Sequence, residues 1–298
     1  MGVLLVNLPV QRGVRRRVSP AARLSRGAHY AALLALAVLF AFPFYWMVVT
    51  SVEPAGRLSD TPPNLAPLWD WRNYADAWTA VSAPGWPRYF FNTVFIAGAT
   101  TALAVLTSLF AAYAFAALRF PGKRILFFAV LAVLVVPDEV VLIPQYQVLG
   151  ALGWLNSYQA QIVPFGASAF GIFLLRQFFL ALPRDLWDSA QLDGCTRTRY
   201  LFSIAAPLAG PALAAVALYT FLGSWNQFLY PLVVAGLNPD VQPLQVALAT
   251  FLGTHSTAWS QLAAASVFTT LPILIVFFLT QKQIIEGVAT AGSGALKG

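Results

Sequence analysis

Residues 183–211 read PRDLWDSAQLDGCTRTRYLFSIAAPLAGP. Six charges fall inside this stretch: Arg184, Asp185, Asp188, Asp193, Arg197 and Arg199. Apolar runs long enough to cross a bilayer lie on both sides of it. Charge is costly in hydrocarbon, so the stretch projects into water. Its local grammar is helix, break, helix. Pro183 suits a helix start, where its missing N–H is not needed. Asp185 falls in the first turn, where negative charge is favoured. Leu186, Trp187 and Ala190 recur at helical spacing as a small apolar face. Gly194 is placed to end the helix in a left-handed conformation. Tyr200, Leu201, Ile204 and Ala205 resume the spacing, and Pro207 and Pro211 lead into the next apolar run. A loop that only reverses the chain needs a handful of residues. This one is long enough to be a docking element for a soluble partner.

Working outward, the 298 residues are 59% hydrophobic and only 10% charged, where a soluble domain carries about a quarter charged. The composition is that of an all-α integral membrane protein. The single cysteine, Cys195, excludes an internal disulfide. A span needs about 20 apolar residues. Six candidates follow: residues 30–50, 89–118, 125–146, 157–175, 208–234 and 259–280. Residues 1–29 then form a basic tail, 30–281 a six-helix membrane domain with the charged loop at 183–207, and 282–298 a C-terminal tail. The basic run at Arg12 to Arg26 follows a weakly apolar start rather than preceding it, which is not the order of a signal peptide.

Six spans put both termini and the charged loop on one side. Fifteen of the 18 lysines and arginines fall on that side; Arg57, Arg72 and Arg88 are the exceptions. By the positive-inside rule that side is the cytoplasm. The same asymmetry accounts for the net charge of +7 without a nucleic-acid partner.

No GxxxxGK[ST] phosphate loop occurs, and no cluster of metal-ligand residues; the chain is expected to hydrolyse no ATP and to bind no cofactor itself. Asp138 and Glu139 interrupt the third span. They sit either at membrane depth with a functional role, or beside a helix end at Pro137 where both are wet. Asn226, next to Trp225 in the fifth span, can meet a hydroxylated solute in a translocation path or bond a neighbouring helix. Trp69, Trp71, Trp78 and Trp86 read as interfacial anchors rather than solute platforms. A secondary transporter would need a coupling-ion site and usually internal repeats, and a membrane scaffold would not need the charged loop.

The loop resembles the cytoplasmic signature of permease subunits in bacterial ABC importers. That family's pattern is Glu-Ala-Ala, three residues, Gly, then a spaced Ile and Pro. Here Asp188, Ser189 and Ala190 precede Gln191, Leu192 and Asp193, then Gly194, with Ile204 and Pro207 following. Asp stands for Glu, Ser for one Ala, and Cys195 for the Ala after Gly. Phe42-Pro43 with Trp46 and Ser51, Ala111 to Phe115 before Arg119-Phe120-Pro121-Gly122, Phe170 to Phe179, Trp225-Asn226 and the ending Gly294 to Gly298 are similar to the sugar-type branch. Together they resemble the second permease of a maltose- or glycerol-3-phosphate-type importer in the bacterial cytoplasmic membrane. The resemblance implies a carbohydrate or glycerol-phosphate-type solute, with a permease for a non-sugar solute as the alternative. It implies a second homologous permease, two ATP-binding subunits carrying ATP and Mg, and an external solute-binding protein. It also implies that Trp187, Asp188, Ser189, Ala190, Asp193, Gly194, Ile204 and Pro207 form the ATPase-coupling loop. In that picture Trp187 and Ala190 enter an ATPase groove while Asp188 and Asp193 sit at its edge.

Overall fold

The structure is a computed structural model that describes residues 20–58, 65–81, 83–253, 258–275 and 278. It is helical throughout its main elements. The order is α1 (Pro20–Ser51), α2 (Arg72–Ala80), α3 (Trp86–Ala117), α4 (Lys123–Val133), α5 (Asp138–Ala151), α6 (Tyr158–Ile162), α7 (Ala169–Ala181), α8 (Arg184–Leu192), α9 (Arg197–Tyr200), α10 (Ala206–Leu208), α11 (Gly210–Asn226), α12 (Leu229–Val234) and α13 (Leu244–Leu248). A last helix, α14, spans Trp259–Ile275. The expected C-terminal tail lies outside the described residues. The expected N-terminal tail lies mostly outside them, and α1 begins ten residues before the predicted span, at Pro20.

α3 is the axle. Its 32 residues, about 48 Å long at about 1.5 Å per residue, exceed a bilayer core. It packs most extensively against α7 and α11. Small and hydroxyl residues make this possible: Ala97, Thr100, Ala104, Ser108 and Ala112 are all buried along it. In lipid, where apolar burial alone gives helices no reason to associate, close backbone approach is what packs them. Gly171 of α7 sits where all three helices meet closely. A Cβ built there would meet Ser108 Oγ at 2.7 Å and Val216 Cγ1 at 2.8 Å.

Among the described residues three segments are long and apolar enough to cross a bilayer: His29–Ser51, Trp86–Ala117 and Tyr158–Ala181. Two further helix pairs qualify only together, and both are sharply bent. The expected third span at 125–146 is therefore not one helix. α4 ends at Val133, α5 starts at Asp138, and the two are bent by 103°. Pro137, extended at φ −62 and ψ 137, begins α5 and denies the backbone a continuous bond ladder. The fourth segment runs six residues past its predicted end, to Ala181. It contains a break in which Ser168 caps α7 by accepting from the Gly171 N–H at 3.0 Å.

The first predicted loop holds α2, whose polar composition hid it. Trp69, Trp71 and Trp78 are exposed as anchors would be, but Trp86 is not an anchor. It is 1% exposed, packs edge-on to Phe268 at 4.8 Å, and donates from Nε1 to the Ala77 carbonyl oxygen at 3.0 Å. Hydropathy alone does not separate a core tryptophan from an interfacial one.

Candidate coupling site

The charged stretch folds as its residues dictate. α7 leaves through Leu182 and Pro183, both extended, and α8 starts at once. α8 closes in a Schellman turn. Gly194 has φ +73, the Gly194 N–H donates to Gln191 O at 3.1 Å, and the Cys195 N–H donates to Ala190 O at 2.9 Å. Thr196 then caps α9, its hydroxyl accepting from the Arg199 N–H at 3.3 Å.

α8 does not stand free of the membrane helices. Ala190 is buried in a cluster with Tyr113 of α3, Leu175 and Phe179 of α7, and Tyr200, Leu201 and Ala205 of the return limb. Trp187 packs on that cluster, edge-on to Tyr200 at 5.1 Å, with the Arg197 guanidinium 4.7 Å over its ring. Arg197 also donates from Nη1 to the Ala117 carbonyl oxygen, tying the end of α3 to the loop. Trp187 and Ala190 of the apolar face are thus turned to their own protein, not into a partner's groove as the resemblance implied, while Leu186 stays exposed. What faces outward is Asp185, Asp188, Ser189 and Leu192, with Leu192 90% exposed, and Asp193 at the turn. These fall at i, i+3, i+4 and i+7, one continuous helix face.

The return limb carries a second device. Residues Leu201–Ala205 form a π-helical turn, in which the Ala206 N–H reaches back five residues to Leu201 O. Pro207, two residues after Ala205, has no N–H for Ser203 and its ring crowds that carbonyl, which is the local cause. Ile204 lies half-buried inside this turn and Pro207 is exposed. The chain then breaks at Ala209, so that Arg197–Leu208 and Gly210–Asn226 meet at 79°. α8 is therefore clamped between α7 and a stiff bent limb leading to α11. Beside it opens a cleft of about 810 Å³, lined among others by Arg119, Lys123, Arg184, Arg197 and Asp188.

The remaining candidates lie elsewhere. Asp138 and Glu139 occupy the first turn of α5, exposed and well placed for the positive helix end. Trp225 is 2% exposed in the core with Trp86, Leu244 and Phe251. Asn226 ends α11 exposed, its Nδ2 donating to Leu222 O at 2.9 Å within its own helix.

Two polar sites were not singled out in the sequence. Asn92 is fully buried in α3. Its Nδ2 donates to Asp240 O at 2.9 Å and Gln242 O at 2.8 Å, and its Oδ1 accepts from Tyr158 Oη at 2.6 Å. Gln161 adds a bond to Val241 O at 2.9 Å. This knot fixes the segment after α12 against the end of α3 remote from α8. Its only sequence signal is an uncharged amide inside an apolar run. Asn92→Ala strands the buried Gln242 carbonyl and removes the acceptor of the Tyr158 phenol, while Asp240 O keeps Arg88 Nε at 2.8 Å, so a loss of about 2–6 kcal/mol is expected from about 1–3 kcal/mol per stranded group. Thermal unfolding in detergent checks it. Glu53 is 4% exposed and neither of its carboxylate oxygens has a hydrogen-bond partner, while its carbonyl oxygen accepts from Asn73 and Ser260.

Fold and loop together define a multi-pass helical membrane protein with a compact hydrophilic loop clamped between two helices. Residues 77–289 match the family of the binding-protein-dependent transport system inner membrane component, and the chain belongs to that family. It is the membrane component of an ABC importer, of the sugar type. It is 34% identical over 260 residues to the arabinooligosaccharides transport system permease protein of Bacillus subtilis (strain 168), covering 86% of this chain and 92% of that one. It is 33% identical over 260 residues to the sn-glycerol-3-phosphate transport system permease protein of Pectobacterium atrosepticum, covering 85% and 91%. Its fold is similar to a chain in the crystal structure of a bacterial ABC transporter involved in import of the acidic polysaccharide alginate, with TM-score 0.75 and 22% identity over 89% of this chain and 98% of that chain.

Proposed function

We propose that this chain forms half of the translocation path for a carbohydrate or glycerol-phosphate-type solute and receives the force of ATP hydrolysis through residues 183–207. The observation that carries the reading is the clamped α8: an exposed face of Asp185, Asp188, Ser189 and Leu192 on a helix whose other face is locked to α3 and α7. Force applied to such a helix moves the helices it joins instead of dissipating in a loop. The substrate class follows the names of the relatives, which transport oligosaccharides and glycerol-3-phosphate.

The full arrangement has six spans, both termini and the loop in the cytoplasm, one second permease, two ATP-binding subunits and an external binding protein. ATP and Mg stay on the ATPases. The bare surface of the first span supports a second permease: only 6% of its most apolar window is buried within this chain. The opposed Lys and Arg counts support the orientation.

Reconstituted with its partners, the chain should give uptake that requires both ATP and loaded binding protein. Reporter fusions at Gly298 and beside Pro62 should report opposite sides. Uptake driven by an ion gradient without ATP, or matching reporter signals, would contradict this assignment.

A further inference from the structure

Three basic residues converge at the α8 end of the molecule. Lys123 and Arg124 open α4, and Arg176 comes from α7. With Phe127 and Phe128 they line a hollow of about 460 Å³. The Arg176 guanidinium lies 4.0 Å from the centroid of the Phe127 ring, and its Nε donates to Phe115 O at 3.3 Å. Lys123 Nζ donates to Leu118 O at 2.8 Å and Ala116 O at 3.4 Å. Arg124 lies 5.8 Å over the Phe128 ring. These contacts fix the cations in place but bring no negative charge. Among the described residues none of the three forms an ion pair. Arg119 adds a further positive charge in the adjoining cleft, which shares Lys123.

Directly past the cations the surface becomes apolar. Ile125, Leu126 and Phe128 are each more than half exposed. Fixed positive charge at one level, with an aliphatic and aromatic wall just beyond it, matches the profile of a phospholipid at the membrane boundary. A carboxylate from a protein partner would satisfy the cations but leave that wall uncovered.

We propose that Lys123, Arg124 and Arg176 bind the phosphate of an anionic phospholipid headgroup at the rim of this hollow, whose inner surface is apolar, with acyl chains running along Ile125 and Phe128. A lipid seated there bridges α4 and α7. Because α7 continues into α8 across two residues, it also braces the frame that holds α8.

The test uses the purified full-length chain in neutral detergent, with bound lipid read by native mass spectrometry. Phosphatidylglycerol should be retained and phosphatidylcholine lost, and millimolar inorganic phosphate should not displace the bound lipid. The Arg124→Gln/Arg176→Gln variant should bind phosphatidylglycerol roughly tenfold or more weakly, since each basic residue near an anionic surface matters by about a factor of five. The N-terminal arginines are unchanged in this variant, so their contribution cancels. A photoreactive phosphatidylglycerol on the unaltered chain should label residues 123–128 and 173–180, a readout that does not depend on the variant folding. Equal retention of both lipids, equal binding by the variant, displacement by free phosphate, or labelling spread over the other helices would each overturn the assignment.

Discussion

Gly194→Val should leave a membrane-inserted, assembled chain that no longer transports. Nothing lies within 4 Å of a Cβ at this position, so the substitution meets no steric wall. Its whole effect comes from the backbone. Gly194 holds φ +73, and a β-branched residue there is strained by about 1–2 kcal/mol or more. The relief available is to open the Schellman turn, losing the bonds from the Gly194 and Cys195 N–H groups to Gln191 and Ala190. The buried cluster under α8 contains Tyr113, Leu175, Phe179 and Tyr200 from three other elements, so the membrane domain should survive. The tip of α8 would lose its fixed direction. Uptake should fall by at least about tenfold, the equivalent of about 1.4 kcal/mol at the turn, and ATP hydrolysis should stop responding to loaded binding protein. Gly194→Asn should keep most of the activity, because asparagine tolerates the left-handed region. Vesicle uptake and stimulated hydrolysis measure this directly. Normal coupled uptake by the valine variant would remove the turn from the mechanism.

The second large effect is expected at Gly171, and it is of the opposite kind. There the backbone is ordinary helix and the space is missing. A single Cβ falls 2.7 Å from Ser108 Oγ, 2.8 Å from Val216 Cγ1 and 3.1 Å from Ser108 Cβ. Both neighbours are fully buried side chains on long helices and have no free space to retreat into. Gly171→Leu should push α7 off α3 and α11, costing more than the roughly 1–3 kcal/mol typical of overpacking. The expected result is a chain that fails to accumulate in folded form. Gly171→Ala should be milder, with a lowered melting temperature. Adding Ser108→Gly and Val216→Ala to Gly171→Ala removes the clashing atoms and should restore much of the loss. A fully stable Gly171→Leu variant would mean that the three helices do not cross here.

These two glycines show what the chain's residues declare and what they withhold. Gly194 announces itself, because glycine after a short amphipathic run between prolines has few other readings. Gly171 sits in an apolar run with no turn signal, and its role appears only when two helices from other parts of the chain approach it. The same division holds for α8. Its existence and limits follow from Pro183 and Gly194, but the direction of Trp187 and Ala190 does not. An amphipathic helix at a membrane surface can turn its apolar face to a partner or to its own bundle, and the pattern is identical. Hydropathy also does not distinguish a straight span from the 103° bend between α4 and α5, since both bury the same side chains from water. Pro137 was visible, yet proline also occurs inside unbroken spans, as Pro43 does within α1. The knot at Asn92 was hidden because its acceptors, Asp240 and Gln242, lie 148 and 150 residues away in sequence.

The exposed face of α8 is proposed to meet an ATP-hydrolysing subunit. Leu192, 90% exposed on that face, is the position to probe. In a Cys195→Ser background, Leu192→Cys in native membranes should crosslink through a short thiol-reactive linker to a chain carrying a GxxxxGK[ST] phosphate loop. Leu237→Cys, 88% exposed near the opposite end of α3, should not. Crosslinking of that ATPase to position 237 as readily as to 192, or its absence at 192 in a folded and transporting complex, would contradict the claim.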